Sequence, residues 1–138
     1  MKKVLLVLTL VLVLTACKAN NGNSVSKLET TIYKNNIHTD LVVEDGFDRI
    51  KKEFTDQATF YYSSLLTMEY GSDGTLDKEE LVKKETNSYD VLYIVFTFKT
   101  GDVSYVEMES NHVYKYETYL TKSYEHDDWH IYKMEGIN

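Results

Sequence analysis

The chain has no proline, one cysteine, one tryptophan and six glycines in 138 residues. Its 15 Lys plus Arg are outnumbered by 22 Asp plus Glu. Without proline, no helix or strand is broken by a residue that lacks an N–H. A lone cysteine excludes an internal disulfide framework and a cysteine-based zinc site. The net charge of −7 excludes non-specific nucleic-acid binding, which needs a basic face to neutralise phosphates. No Gly-rich phosphate loop, G-x-S-x-G elbow or H-E-x-x-H pair occurs, so the sequence calls for no cofactor and marks no catalytic residue. What remains is a chain 43% hydrophobic and 13% aromatic, far from disordered composition. Its length suits one domain.

The first residues carry an address. Lys2 and Lys3 precede Val4 to Leu14, which is apolar apart from Thr9. As a helix that core would be about 16 Å long, against about 30 Å of bilayer hydrocarbon. It reads as a signal peptide over residues 1–16. Its end, Leu14-Thr15-Ala16-Cys17, resembles the bacterial lipoprotein lipobox. The resemblance implies diacylglycerol on the Cys17 thiol and cleavage just before it. With Lys2 and Lys3 removed, 13 basic residues stand against 22 acidic ones, a charge of −9. Anionic lipids repel such a surface, so the membrane partner is reached through lipid on Cys17 and not through a basic patch. Residues 17–27 are polar and without apolar period, and read as a tether with an r.m.s. reach of about 17 Å. The expected location is the outer, extracytoplasmic face of the cell membrane.

Residues 28–138 hold every aromatic residue and read as one α+β domain. Residues 28–43 fit either a helical face or a hairpin turning at Asn35-Asn36, with helix slightly favoured. Asp45 then reads as a cap, with Phe47, Ile50, Phe54 and Ala58 at helical spacing. Phe60 to Tyr70 reads as a strand, ended by Gly71-Ser-Asp-Gly74. Asp77 and Glu80 read as a carboxylate capping box for a second helix, with Leu76 and Leu81 as its hydrophobic staple. Glu79–Lys83 and Glu80–Lys84 are i,i+4 pairs. Val91 to Phe98, Val103 to Glu109, His112 to Tyr124 and Trp129 to Met134 read as a four-strand meander, with a hairpin turn at Thr100-Gly101-Asp102. The expected architecture is N-terminal helices packed on one face of a curved antiparallel sheet. Leu92, Ile94, Phe96 and Phe98 are expected to bury against Phe47, Ile50 and Phe54.

That order, with Phe54-Thr-Asp-Gln-Ala-Thr-Phe60 leaving a helix for a strand and Trp129-His-Ile-Tyr132 in the last strand, resembles the NTF2-like and cystatin-like cone folds. The resemblance covers about residues 28–138 and implies binding of partners, ligands or, in some members, substrates on the concave sheet face. It carries no catalytic residues to this chain.

Three constellations bear on chemistry. Glu69 to Glu80 aligns with a calcium loop, Gly74 at the sharp turn and Asp73, Asp77 and Glu80 as oxygens. Gly71 offers no ligand where one is required, and a turn plus a helix cap explains the same residues. Glu125, His126, Asp127, Asp128 and His130 suggest a divalent metal, yet the two histidines fall on a turn and the strand beyond it. No metal is therefore expected at either place. The third is an aromatic face, Tyr93, Tyr105, Tyr114, Tyr116 and Trp129, suited to a ligand or protein partner because tyrosine joins a large contact area to a polar tip. Strand propensity explains the same tyrosines. His38 and Asp40 stand two apart with no nucleophile tied to them. The expected function is a membrane-anchored, non-catalytic binding domain for a protein or small ligand. The alternatives are a small enzyme with a pocket general base, and an accessory or immunity lipoprotein with an obligate partner.

Overall fold

The computed structural model describes residues 25, 27–34, 37–103 and 107–137. Cys17, its signal segment and Tyr105 lie outside the described residues. The elements in chain order are β1 (Glu29–Ile32), α1 (Asp40–Asp56), a 3-10 turn (Ala58–Phe60), β2 (Ser64–Tyr70), α2 (Thr75–Thr86), β3 (Asp90–Lys99), β4 (Val113–Lys122) and β5 (His130–Gly136).

α1 starts where the Thr39 hydroxyl accepts the Val42 N–H at 3.4 Å, six residues ahead of the cap expected at Asp45. Asp40 in its first turn complements the helix dipole. Val43, Gly46, Phe47, Ile50 and Phe54 recur on one face and are buried. The opposite face carries Arg49–Glu53 at 2.8 Å, Lys51–Asp48 at 2.7 Å and Lys52–Asp56 at 2.5 Å, pairs of a few tenths of a kcal/mol each. The Gln57 N–H closes the helix on the Glu53 carbonyl.

The buried face of α1 lies on a five-stranded sheet of order β1-β2-β3-β4-β5. Leu92, Ile94, Phe96 and Phe98 of β3 join Val43, Phe47, Ile50 and Phe54 in one core with Phe60, Leu65, Met68, Tyr70, Leu120 and Trp129. The expected packing of β3 on α1 is therefore present. Aromatic rings hold its wide end, with Phe54 stacked on Phe60 at 4.9 Å and Phe60 edge-on to Phe98 at 5.1 Å.

The class is α+β, and three details differ from expectation. First, residues 28–43 are neither one helix nor a hairpin. β1 pairs parallel with β2, Glu29 opposite Thr67, and α1 is the crossover between them, so the sheet is mixed. Second, the helices take opposite faces. α2 buries Val82 against Val91, Tyr93, Val95 and Tyr119, which alternate with the α1-facing residues along the same strands. Third, the four antiparallel strands are β2 to β5. Lys99 pairs with Val113, so β3 and β4 form one hairpin and both edges of β4 are taken by β3 and β5. Val103 and residues 107–109 lie outside any strand because the sheet has no free edge there.

Thr100, read as part of a tight turn, instead anchors a longer loop: its hydroxyl meets the Glu109 carbonyl at 2.5 Å and the His112 N–H at 2.9 Å. Gly101 is there for close approach, since a Cβ would sit 2.4 Å from the Tyr62 carbonyl oxygen. The start of α2 also differs. Gly74, at φ 84°, occupies the N-cap position without a side-chain bond, and Leu76 and Leu81 are exposed. No capping box or staple is formed by Asp77, Glu80 and the leucines.

Candidate functional site

The wide recess of the molecule lies between the outer turns of α1 and the β4–β5 connection. It is about 620 Å³ and is lined by Asp45, Asp48, Arg49, Lys52, Glu53, Lys122, Asp127, Asp128, Trp129 and His130. The helix supplies its charged face because the apolar face is spent on the core. The other wall is a turn in which the Asp127 carboxylate accepts the Ser123 and Asp128 N–H groups at 3.0 and 2.9 Å. The Ser123 bond is the main reason Asp127 sits below the usual carboxylate range. His130 Nε2 lies 3.2 Å from the same side chain. Among the described residues no group of three His, Cys, Asp or Glu is placed to hold a metal ion.

Trp129 is the link between this recess and the core. Its side chain is 5% exposed, and Lys122 Nζ stands 4.8 Å over its ring, a cation–π contact. Its indole N–H has no hydrogen-bond partner among the described residues. A buried donor left unmatched costs about 1–3 kcal/mol.

The other expected aromatic residues do not share one surface. Tyr114 and Tyr116 are half-buried on the α1 side, Tyr114 stacked on Phe98 at 5.6 Å and Tyr116 edge-on to Phe98 at 5.2 Å. The Tyr114 hydroxyl accepts the Glu109 N–H at 2.9 Å, fastening the β3–β4 loop. Tyr93 is on the α2 side, where its hydroxyl accepts from Lys78 Nζ at 2.7 Å and donates to Glu117 at 2.9 Å. Burial pushes the Glu117 carboxyl up, but the Tyr93 and Lys78 bonds more than offset it and leave it lowered. Trp129 is thus the expected site residue that reaches a recess.

A second polar cluster, which the sequence did not reveal, gathers at the carboxyl ends of the parallel strands β1 and β2. His38 precedes α1, Tyr70 is the last residue of β2, Glu79 is on α2 and Asp90 opens β3. His38 Nε2 meets Asp90 Oδ1 at 2.9 Å and Nδ1 meets the Tyr70 hydroxyl at 2.5 Å. A carboxylate only accepts, so Nε2 carries the proton, and in the neutral ring Nδ1 accepts the Tyr70 O–H. Glu79 Oε1 accepts the Tyr93 backbone N–H at 3.0 Å, just beyond the point where β2 ends opposite Ile94. Burial pushes the Glu79 carboxyl up to about 7, against the opposing pull of that N–H, His38 and Tyr70. Burial also raises Asp90, yet His38, the Val91 N–H and Lys83 leave it lowered overall. The signal for Glu79 was its place on the Thr75–Glu79–Val82 face, which is the buried side of α2.

Neither a family model, a curated protein nor a solved structure matches the chain.

Proposed function

We propose that the protein is a lipoprotein held by lipid on Cys17 at the outer face of the cell membrane, where its domain binds a polar segment of a protein partner in the recess at Trp129. The single observation behind this reading is the recess of about 620 Å³ in which Trp129, held under Lys122, lies among charged side chains of both signs. The walls suit a polar segment of mixed charge, since Arg49, Lys52 and Lys122 alternate with Asp45, Asp48, Asp127 and Asp128. Among the described residues no helix is long and apolar enough to cross a membrane.

The test places a photo-crosslinking residue at His130, on the recess rim, and at Lys115, exposed elsewhere on β4, in intact cells. A defined protein adduct at position 130, absent at 115 and weakened by Trp129→Phe, is expected. Equal adducts at both positions, or none at 130, would refute the recess. Labelled fatty acid should enter the wild type and be lost in Cys17→Ser; unmodified Cys17 in the mature protein would refute the anchor.

A non-catalytic role is favoured over a pocket enzyme because both His38 nitrogens are engaged and its side chain is 6% exposed. The enzyme reading rests on one observation, the Glu79 carboxyl that burial pushes up to about 7, a value suited to proton transfer at neutral pH.

A further inference from the structure

β5 forms one side of the sheet: among the described residues it pairs with β4 and with no other strand. This edge is seven residues long, whereas β1, on the opposite side, has four. The Ile137 N–H donates to the Lys115 carbonyl at 2.8 Å. Backbone groups alternate along an antiparallel strand, so Ile137, Glu135 and Lys133 turn theirs toward β4, while Gly136 and Met134 turn theirs away. An outward row of donors and acceptors is a template for another strand. Tyr132 lies where the β4–β5 register shifts and has no register partner on β4; it is exposed.

The charges on this edge select the occupant. Lys133 Nζ lies 2.7 Å from Glu135 Oε1, and the two side chains are 49% and 45% exposed. Glu135 stands opposite Glu117 in register, and Glu117 already has Lys78 at 3.2 Å, so Glu135 faces like charge across the sheet. A lysine on an edge strand ordinarily blocks pairing, unless the incoming strand brings an acid to it. A second β5, antiparallel about a two-fold axis at Met134, does so. Lys133 of each copy then comes opposite Glu135 of the other, and symmetry makes the contact twice. Both contacts fall at non-hydrogen-bonded positions, where side chains approach closest. Met134 meets its own counterpart with backbone groups facing, and Tyr132 comes opposite Gly136, which has no side chain in its way. An axis at Lys133 or at Glu135 would set like charges directly opposite, which is destabilising. We propose that β5 pairs antiparallel with β5 of a second copy of this chain, in the register that sets Lys133 against Glu135.

The two sheets become one across the axis, with α1 of both copies on the same side, because a two-fold axis perpendicular to a sheet keeps its faces. A single strand pair is a small contact, below the about 1,200–2,000 Å² of stable complexes, so association is reversible and concentration-dependent. The pairing uses none of the residues that line the Trp129 recess. The mass of the assembly tests the pairing and the adduct at His130 tests the recess, so either can fail alone.

The experiment uses the full chain in detergent micelles and measures protein mass by sedimentation equilibrium in density-matched detergent. Wild type is expected to approach twice the monomer mass with a dissociation constant of about 100 µM or tighter. Lys133→Glu and Glu135→Lys each set like charges together at both symmetric contacts, and each alone should weaken self-association at least about tenfold. Mixed in equal amounts, the two variants should associate as wild type does, because every glutamate of one then faces a lysine of the other. Rescue in trans separates the contact from any loss of folding or of the Lys133–Glu135 pair within one strand. Met134→Cys, on the axis, should form a disulfide with its counterpart under mild oxidation, since the two Cα atoms of such a pair lie about 5.5 Å apart; wild type serves as the control for Cys17. The proposal is overturned by a wild type that stays monomeric at about 1 mM, ten times the expected constant, the result if Lys133 blocks the edge or if the edge takes a strand from another protein. It is also overturned by single variants that associate as wild type does, by a mixture that associates no better than either variant alone, or by the absence of a disulfide joining position 134 of two copies.

Discussion

Gly46→Ala sets two effects of opposite sign against each other. Alanine in a helix interior is favoured over glycine by about 1 kcal/mol. At position 46, however, a Cβ would meet Leu92 Cδ1 at 2.6 Å, Ile94 Cδ1 at 3.1 Å and Leu120 Cδ1 at 3.3 Å. Carbon atoms prefer about 3.5–4.0 Å, so the nearest contact is short by about 1 Å. All three neighbours are fully buried, and they belong to three positions of two adjacent strands, so relieving one presses on the others. Overpacking of this kind costs about 1–3 kcal/mol, and the net expectation is a loss of about 1–2 kcal/mol despite the better helix former. Urea unfolding followed by fluorescence of Trp129, the one tryptophan of the chain, should show a lower midpoint at unchanged slope. Leu92→Val removes the offending δ carbon. Alone it should cost about 1 kcal/mol, but combined with Gly46→Ala the losses should fall short of additive by about 1 kcal/mol. A Gly46→Ala protein as stable as wild type, or double-mutant losses that simply add, would refute close contact between α1 and the sheet.

Phe54→Ala and Phe96→Ala should each cost about 3–5 kcal/mol in urea unfolding, because both are fully buried in the same aromatic cluster; losses below about 1 kcal/mol at both sites would exclude it. Tyr93→Phe deletes the hydroxyl that accepts from Lys78 and donates to Glu117, and should cost about 1–3 kcal/mol, with no measurable loss refuting the bond to Glu117. Glu79 has its folded-state pKa raised from 4.5 to about 7, so between those values the folded chain holds more protons than the unfolded one and stability falls as pH rises. The contribution is on the order of 3 kcal/mol, and the lowered Asp90 and Glu117 act in the opposite direction only below this window. Glu79→Gln should flatten the decline; an unchanged pH profile would refute the raised pKa.

The parts of the fold that could be read from the sequence are those where one face alone is buried. Phe47, Ile50 and Phe54 keep helical spacing because α1 touches the sheet along one stripe. The run from Val91 to Phe98 is apolar on both sides because α1 and α2 cover opposite faces of β3. That run by itself reads as a central strand covered on both sides, since a strand buried on one face only would alternate, and the structure agrees. β1 escaped because its four residues are mostly exposed and its partner is β2, beyond the whole of α1. Val103 to Glu109 misled for a related reason. Alternation records a preference for strand, but a strand also needs an open edge, and the direct β3–β4 hairpin leaves none. The Asp45-Gly46 pair resembles a helix start, yet Gly46 is small because three core side chains crowd it.

The sites were less legible because their chemistry depends on where strands stop. Glu79 sits in Glu79-Glu80-Leu81-Val82-Lys83, a stretch whose charges read as a solvated face with i,i+4 pairing to Lys83. Its burial follows from β2 ending at Tyr70, which leaves the Tyr93 N–H of β3 without a strand partner. A carboxylate from α2 satisfies that donor and is drawn out of water in doing so. His38 is held by Tyr70 and Asp90, 32 and 52 residues further along the chain, a convergence no local spacing records. The tyrosines show the converse. They alternate as a binding face would, but Tyr93 is spent on Lys78 and Glu117, and Tyr114 on the loop at Glu109. Hydroxyls with internal partners lend little to a surface. Among the described residues the buried side-chain atoms without a hydrogen-bond partner are Thr75 Oγ1, Glu79 Oε2, Thr118 Oγ1 and Trp129 Nε1, and no tyrosine hydroxyl is among them.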